Sequence, residues 1–325
     1  MRRLIFVFWC LIFVGSFLIS GRAAGVVRGS ASIEGRISDI IGDRCVGVAV
    51  VDMYGREVVV GDSGLFACGG FRKFVEAVEI ARRYDFASLV DSVFEVGGDD
   101  LRGGVWSPLR AMADSLPMSM RPVELLEFSL LMNDENASGV LLRRMLPDVA
   151  ADAGLLPSEM SALDAARFMH GFFYCDTVAS ATLVKAVLGR GSVFGNERIV
   201  AGVPGGAARV FHKSGTYMPD SGRGRVAGDV AMIFYPMSMG YGCYSLAVFC
   251  RDDELPADEV DGLIAAVSEA LWRDVIVSES AAVGPQSVSR VAPRQSYPEY
   301  SDDDDRYTWV DLLIDAIFGI IDAGL

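Results

Sequence analysis

Histidine is nearly absent from this chain: there are two in 325 residues, His170 and His212. With so few, and with no cysteine pair at the close spacing of a metal knuckle, neither a metal centre nor any other cofactor is expected. Positive charge is also scarce. Lys+Arg total 29 against 43 Asp+Glu, a formal net charge of -14, which argues against nucleic-acid phosphate as a partner. Apolar residues are plentiful, at 51% of the chain with a mean hydropathy of +0.34. A chain of this length and composition can bury one sizeable core or two smaller ones, so disorder is excluded for most of it.

The first 24 residues, "MRRLIFVFWCLIFVGSFLISGRAA", open with Arg2 and Arg3 and continue with an apolar run from Leu4 to Ile19 and the small residues Gly21, Ala23 and Ala24. That order is the order of an export signal ending in a signal-peptidase site, and the protein is expected outside the cytoplasm, periplasmic or tethered at its N-terminus. An uncleaved anchor is the competing reading, because the run is only slightly short of a membrane span. Once Cys10 is removed with the signal, Cys45, Cys68, Cys175, Cys243 and Cys250 remain. Their odd number leaves at least one outside any internal disulfide. Cys243 and Cys250 lie seven apart on one expected strand, so they face opposite sides and cannot bridge to each other.

Beyond the signal, "CVGVAVVDMYG" and "REVVVGDSG" read as a β-hairpin turning at Tyr54-Gly55, its valines dense enough for burial on both faces. At Phe71 the period changes. "FRKFVEAVEIARRY" sets Phe71, Phe74, Val75, Val78 and Ala81 on one helical stripe, with Lys73 in the first turn. A helical middle follows, in which "PVELLEFSLLM" and "ASGVLLRRM" flank the polar break "NDEN" at 133–136, and a further helix is expected over 161–173. Strands return in "ARVFHKSGTYM", "GRVAGDVAMIFYP" and "YGCYSLAVFCRDD", and "ADEVDGLIAAVSEALWRDV" closes the body as a helix. Two strands, a helical insertion, three strands and a final helix define an α+β fold: an antiparallel sheet covered by helices, with a helical subdomain.

The expected domain runs from about 30 to 278. After it, residues 279–306 are rich in Ser, Pro and acid and read as a disordered acidic linker. Residues 307–325, "YTWVDLLIDAIFGIIDAGL", place Asp311, Asp315 and Asp322 on a narrow stripe opposite a broad apolar face. An amphipathic helix of this kind needs a cover. Either it folds back on its own domain or it docks on a partner in the cell envelope, a protein groove being favoured over anionic lipid because the polar stripe is acidic.

These elements resemble one family in particular, the class A β-lactamases and their penicillin-recognising relatives among serine hydrolases. The resemblance runs from about Ile37 to Val275. "GVAVVDMYGREVVVGDSGLFACGGFRK" is similar to the family's opening hairpin and the approach to its active helix, where a Phe stands four residues before the nucleophile and a Lys three after it. Phe66 and Lys73 fit that register and put the nucleophile at position 70. "VWSPL" at 105–109, "PVELLEFSLLMNDENASGVLL" and "NERIVAGVPGGAARVFHKSGTYM" resemble the family's later landmarks in the same order.

What the resemblance implies is acyl transfer by a serine activated by the lysine one helical turn on, with two backbone N–H groups holding the oxyanion. Position 70 here is Gly70, which has no side chain to attack with. Cys68 is five residues before Lys73 and is expected only to pack. The family's Ser-Asp-Asn landmark corresponds to Asn133, Asp134 and Glu135, so its aspartate is kept while both catalytic members are changed. An amide at Asn133 cannot relay a proton, and Glu135 is expected to pair with the Lys73 ammonium. The third landmark survives as Lys213, Ser214, Gly215 and Thr216, the strand on which the family receives substrate carboxylates. The stretch 145–161 is too short for the family's deacylation loop. The chain is therefore expected to be an exported, non-catalytic binding or scaffolding domain. It would bind through its C-terminal helix or through its old cleft, where Lys73, Asn133, Glu135, Lys213, Ser214, Gly215 and Thr216 are the expected pocket residues for a peptidoglycan-like or carboxylate ligand. The alternative is an active hydrolase of the β-lactamase or D-Ala-D-Ala peptidase type using another nucleophile, with Ser214 or Ser107 the candidates.

Overall fold

The computed structural model describes residues 32–282 apart from 114–115, 175–177, 220 and 238–239, with backbone alone over 276–282. The expected signal segment, most of the expected linker and the helix expected over 307–325 lie outside the described residues, as does Cys175.

The described chain opens not with the hairpin but with a helix, α1 (Ile33–Ile41), which buries Ile37 and Ile41 one turn apart. Nine residues beside a long apolar leader carry little periodic signal, and the sequence reading passes over them. The valine hairpin follows as β1 (Val46–Asp52) and β2 (Glu57–Gly61). Short β3 (Phe66–Ala67) leads into α2 (Phe71–Arg83), the helix read from its apolar stripe, and then come α3 (Phe86–Val90) and β4 (Phe94–Val96). The helical middle comprises α4 (Pro108–Ala111), β5 (Met118–Met120), α5 (Pro122–Leu131), α6 (Glu135–Met145), α7 (Pro147–Ala151), β6 (Glu159–Met160), α8 (Ala162–Tyr174) and α9 (Ala181–Gly189). Strands β7 (Arg209–Tyr217), β8 (Val226–Pro236) and β9 (Tyr241–Arg251) and the helix α10 (Ala257–Ala282) complete it. Helix α10 continues past the boundary set at 278, since "SESAA" contains neither glycine nor proline to stop it.

The main sheet has the order β2-β1-β9-β8-β7, and every neighbouring pair is antiparallel. Alternation along each strand sends side chains into two cores. Val46, Val48 and Val50 of β1 meet α1 and α10 through Ile37, Ile41, Val260, Ile264 and Trp272. Ala49 and Val51 face the other way, into the helical side built around Phe71, Phe74, Leu125, Leu130 and Phe172. The same alternation puts Cys250 in the first core and Cys243 in the second, as their seven-residue spacing requires. Burial on both faces explains why β1 and β9 read as near-continuous apolar runs.

Helix α2 lies in the middle of the helical side. Its stripe is wider than the sequence pattern suggests, because Lys73, Glu76 and Ala77 are buried along with Phe74 and Val78. A buried charge in a central helix requires partners, and those partners form the site.

Candidate functional site

The N-terminus of α2 meets the edge strand β7 backbone to backbone. Gly70 caps the helix in helical conformation, φ -64 and ψ -20. A Cβ placed on Gly70 would stand 2.6 Å from the Ser214 carbonyl oxygen, 2.9 Å from Gly215 Cα and 3.0 Å from Asn133 Oδ1. A Cβ on Gly215 would collide with the amide nitrogen and Cα of Gly70. The two glycines fit because neither has a side chain, and the space a nucleophile would occupy is filled by strand.

Asn133 and Glu135 reach this point from the turn between α5 and α6. That turn is fixed by Asp134, whose carboxylate is fully buried and accepts from Ala137 N at 2.9 Å, Leu109 N at 2.7 Å and the Ser107 hydroxyl at 3.0 Å. Asp134 is thus the N-cap of α6 and also ties down α4. Asn133 takes a left-handed conformation, φ 55, which asparagine tolerates better than most residues. Its Oδ1 accepts from Lys213 Nζ, and Lys213 also donates to the Ser214 carbonyl at 2.7 Å.

Lys73 points at Glu135, and Nζ donates to Oε1. The pair is lopsided: the Lys73 side chain is 9% exposed and that of Glu135 46%. The pocket floor is therefore wetter on the acid side than on the lysine side. Losing Lys73 leaves a carboxylate that water can serve, whereas losing Glu135 leaves a buried ammonium without its nearest acceptor. Glu135→Gln is therefore expected to cost about 1–2 kcal/mol and Lys73→Met less, with the double variant close to Lys73→Met alone. Urea unfolding of the three variants checks this, and additive losses would mean the side chains do not interact. One turn along, Glu76 accepts from Ser138 Oγ at 2.7 Å and Arg72 Nε at 3.2 Å, and burial pushes its carboxyl above the usual range.

The four residues of the third landmark are engaged within the protein. Lys213 holds Asn133, the Ser214 hydroxyl donates to the Phe194 carbonyl at 3.1 Å, Gly215 packs on Gly70, and Thr216 Oγ1 accepts from Arg198 Nη2 at 2.9 Å. Arg198 was not singled out by sequence. Its buried guanidinium also donates to the carbonyls of Gly215 at 2.9 Å and Gly228 at 2.8 Å, and to Asp261 Oδ1 on α10 at 2.7 Å. Sequence reasoning also missed the pair His212 and Asp229, both buried, with Nδ1 3.1 Å from Oδ1. An aspartate inside the apolar run of β8 was the available signal, since a charge there needs a partner.

Lys213 is completely buried, and its amino group is pulled down to about 7 from its ordinary 10.5, first by burial and then by the nearby Lys73 charge. The unfolded chain keeps that proton up to about pH 10.4. Between those values the unfolded state binds more protons, so stability rises with pH, by at most about 1.4 kcal/mol per unit. Urea unfolding at about pH 7 and 8.5 is expected to show the native chain gaining about 1–2 kcal/mol relative to Lys213→Met. Parallel curves for the two proteins would contradict the burial of a neutral amine.

None of Cys68, Ser107 and Ser214 is poised for attack. Cys68 is buried, and desolvation pushes its thiol up to about 12. Ser107 caps α4, accepting from Arg110 N at 3.1 Å. Ser214 is beside His212, but it is buried and its hydroxyl is turned to Phe194.

No protein-family model and no curated protein sequence matches the chain. Solved structures do. A serine-to-glycine variant of the TLA-1 extended-spectrum β-lactamase superposes with a TM-score of 0.65 at 18% identity, covering 77% of this chain and 100% of its own. A class A β-lactamase from Bacteroides cellulosilyticus gives 0.63 at 19% identity, covering 75% and 96%. The ancestral class A β-lactamase GNCA gives 0.62 at 20%, covering 75% and 100%. The fold is that of the class A β-lactamases, an antiparallel sheet with a helical subdomain. At these identities the likeness concerns the fold alone.

Proposed function

We propose that the chain is a catalytically silent domain on this scaffold, exported from the cell and acting by binding or scaffolding instead of acyl transfer. The observation that carries the reading is Gly70 packed against β7. The position from which a serine would attack holds no side chain, and the strand beside it leaves no space for one. Supporting it, the Lys73 ammonium is held by Glu135 and Asn133 by Lys213, so neither is free to move a proton to or from a substrate.

The same contact weighs against a peptidoglycan-like or carboxylate ligand seated at the old nucleophile position. Binding is then assigned to the outside of the body and to the amphipathic segment 307–325, docking in the groove of an envelope partner. Export rests on the leader's arginines, apolar run and small residues. The test of silence is turnover: the purified domain is expected to hydrolyse nitrocefin no faster than buffer. Hydrolysis abolished by Ser214→Ala or Cys68→Ala would overturn the proposal.

A further inference from the structure

We propose that β7 is a movable cover over the Gly70 position, and that proton uptake by Lys213 drives it open. The inference rests on the closed, silent site proposed above and adds a condition under which that site becomes accessible. Lys213 spans the closure. It projects from β7, donates to Asn133 on the opposite lip and to its own strand's Ser214 carbonyl, and has no exposure to solvent. On β7 the residues against Gly70 are the next two along the strand, Ser214 and Gly215. A displacement that frees Lys213 therefore also lifts the strand from Gly70.

β7 is suited to such a movement because, among the described residues, it is an edge strand paired with β8 alone. Its cleft side has the contact with α2 and the Asn133 bond, while Arg198 ties it to β8 and α10 through Gly215, Thr216, Gly228 and Asp261.

The charges around the Lys213 amine oppose one another. Lys73 from α2 and Arg198 repel an added proton, whereas Glu135 from α6 and Asp229 from β8 attract it. His212, the neighbour on β7, is turned to the other face and paired with Asp229. Burial is the largest influence, so in the closed state the amine is neutral above about pH 7. In the open state water solvates the ammonium, and the ordinary value of 10.5 applies. Opening therefore takes up one proton between those values, and each unit of acidification favours the open state by up to about tenfold.

Lysine acylation reads this directly, because the chain has only Lys73, Lys185 and Lys213 and peptide mass spectrometry separates them. The full-length folded protein is pulsed with sulfosuccinimidyl acetate at about pH 7.5, 8.5 and 9.5. The Lys213 rate is divided by that of Nα-acetyl-lysine amide under the same conditions. The expected ratio rises about tenfold for each unit that the pH falls, and it is insensitive to urea below the unfolding transition. A ratio independent of pH overturns the proposal. A ratio that climbs with urea as steeply as global unfolding does so too, since the amine is then uncovered only by unfolding. Gly215→Ala, which cannot seat its Cβ against Gly70, is expected to raise Lys213 acylation at least tenfold at the highest pH, and no increase contradicts the cover. Failure here leaves the absence of acyl transfer untouched, because this experiment reads access and the nitrocefin assay reads chemistry.

Discussion

Gly70→Ser, which places a serine where the resemblance to class A β-lactamases would put a nucleophile, is expected to destabilise the domain by about 3 kcal/mol and to produce no hydrolysis. The atoms in the way are the Ser214 carbonyl oxygen and Gly215 Cα, 2.6 and 2.9 Å from the new Cβ. Backbone in a paired strand cannot rotate aside as a side chain can, so the helix N-terminus or β7 has to shift, and overpacking of this kind is among the costlier core changes. A serine admitted by such a shift would face Lys73 already committed to Glu135, and Asn133 in place of a hydroxyl. Thermal and urea unfolding with a nitrocefin assay on one preparation checks both halves. Native stability with turnover would mean that β7 yields easily and that the remaining site is more competent than its contacts imply.

Arg198→Ala is expected to be worse, with a loss of about 3–5 kcal/mol. The guanidinium serves the Asp261 carboxylate, two strand carbonyls and the Thr216 hydroxyl from a position buried between β7, β8 and α10. Truncation leaves Asp261 without its cation and the Gly215 and Gly228 carbonyls without these donors, in a place where water has little access. Arg198→Lys is expected to recover only part of the loss, because one ammonium cannot replace the planar fork. Urea unfolding measures both. A loss under about 1 kcal/mol in the alanine variant would show that β7 is held by its ladder with β8 alone.

Much of the architecture was legible because it depends on local period. The stripe of "FRKFVEAVEIARR" produced α2, the valine runs produced β1 and β2, and the switch back to dense β-branched residues announced β7, β8 and β9. The resemblance carried by Phe66 and Lys73 singled out Gly70, and the Lys73–Glu135 pair expected from charge is present. What the sequence did not show is set by tertiary contact. No local pattern brings Gly70 against Gly215, since each glycine alone reads as a turn or a flexible point. Arg198 looks like a surface residue in "GNERIV", yet it is turned inward by carbonyls from two strands. The exposure of Glu135 depends on how α6 sits relative to β7, and α1 lacked the length to declare itself.

The central claim is that this scaffold has no nucleophile in reach of a substrate carbonyl. Intact-protein mass spectrometry of the purified chain after prolonged exposure to excess benzylpenicillin tests it most directly. The unmodified mass is expected in both treated and untreated samples. A stoichiometric increase by the mass of the penicillin, mapped by peptide analysis to Ser214, Ser107 or Cys68, would contradict it.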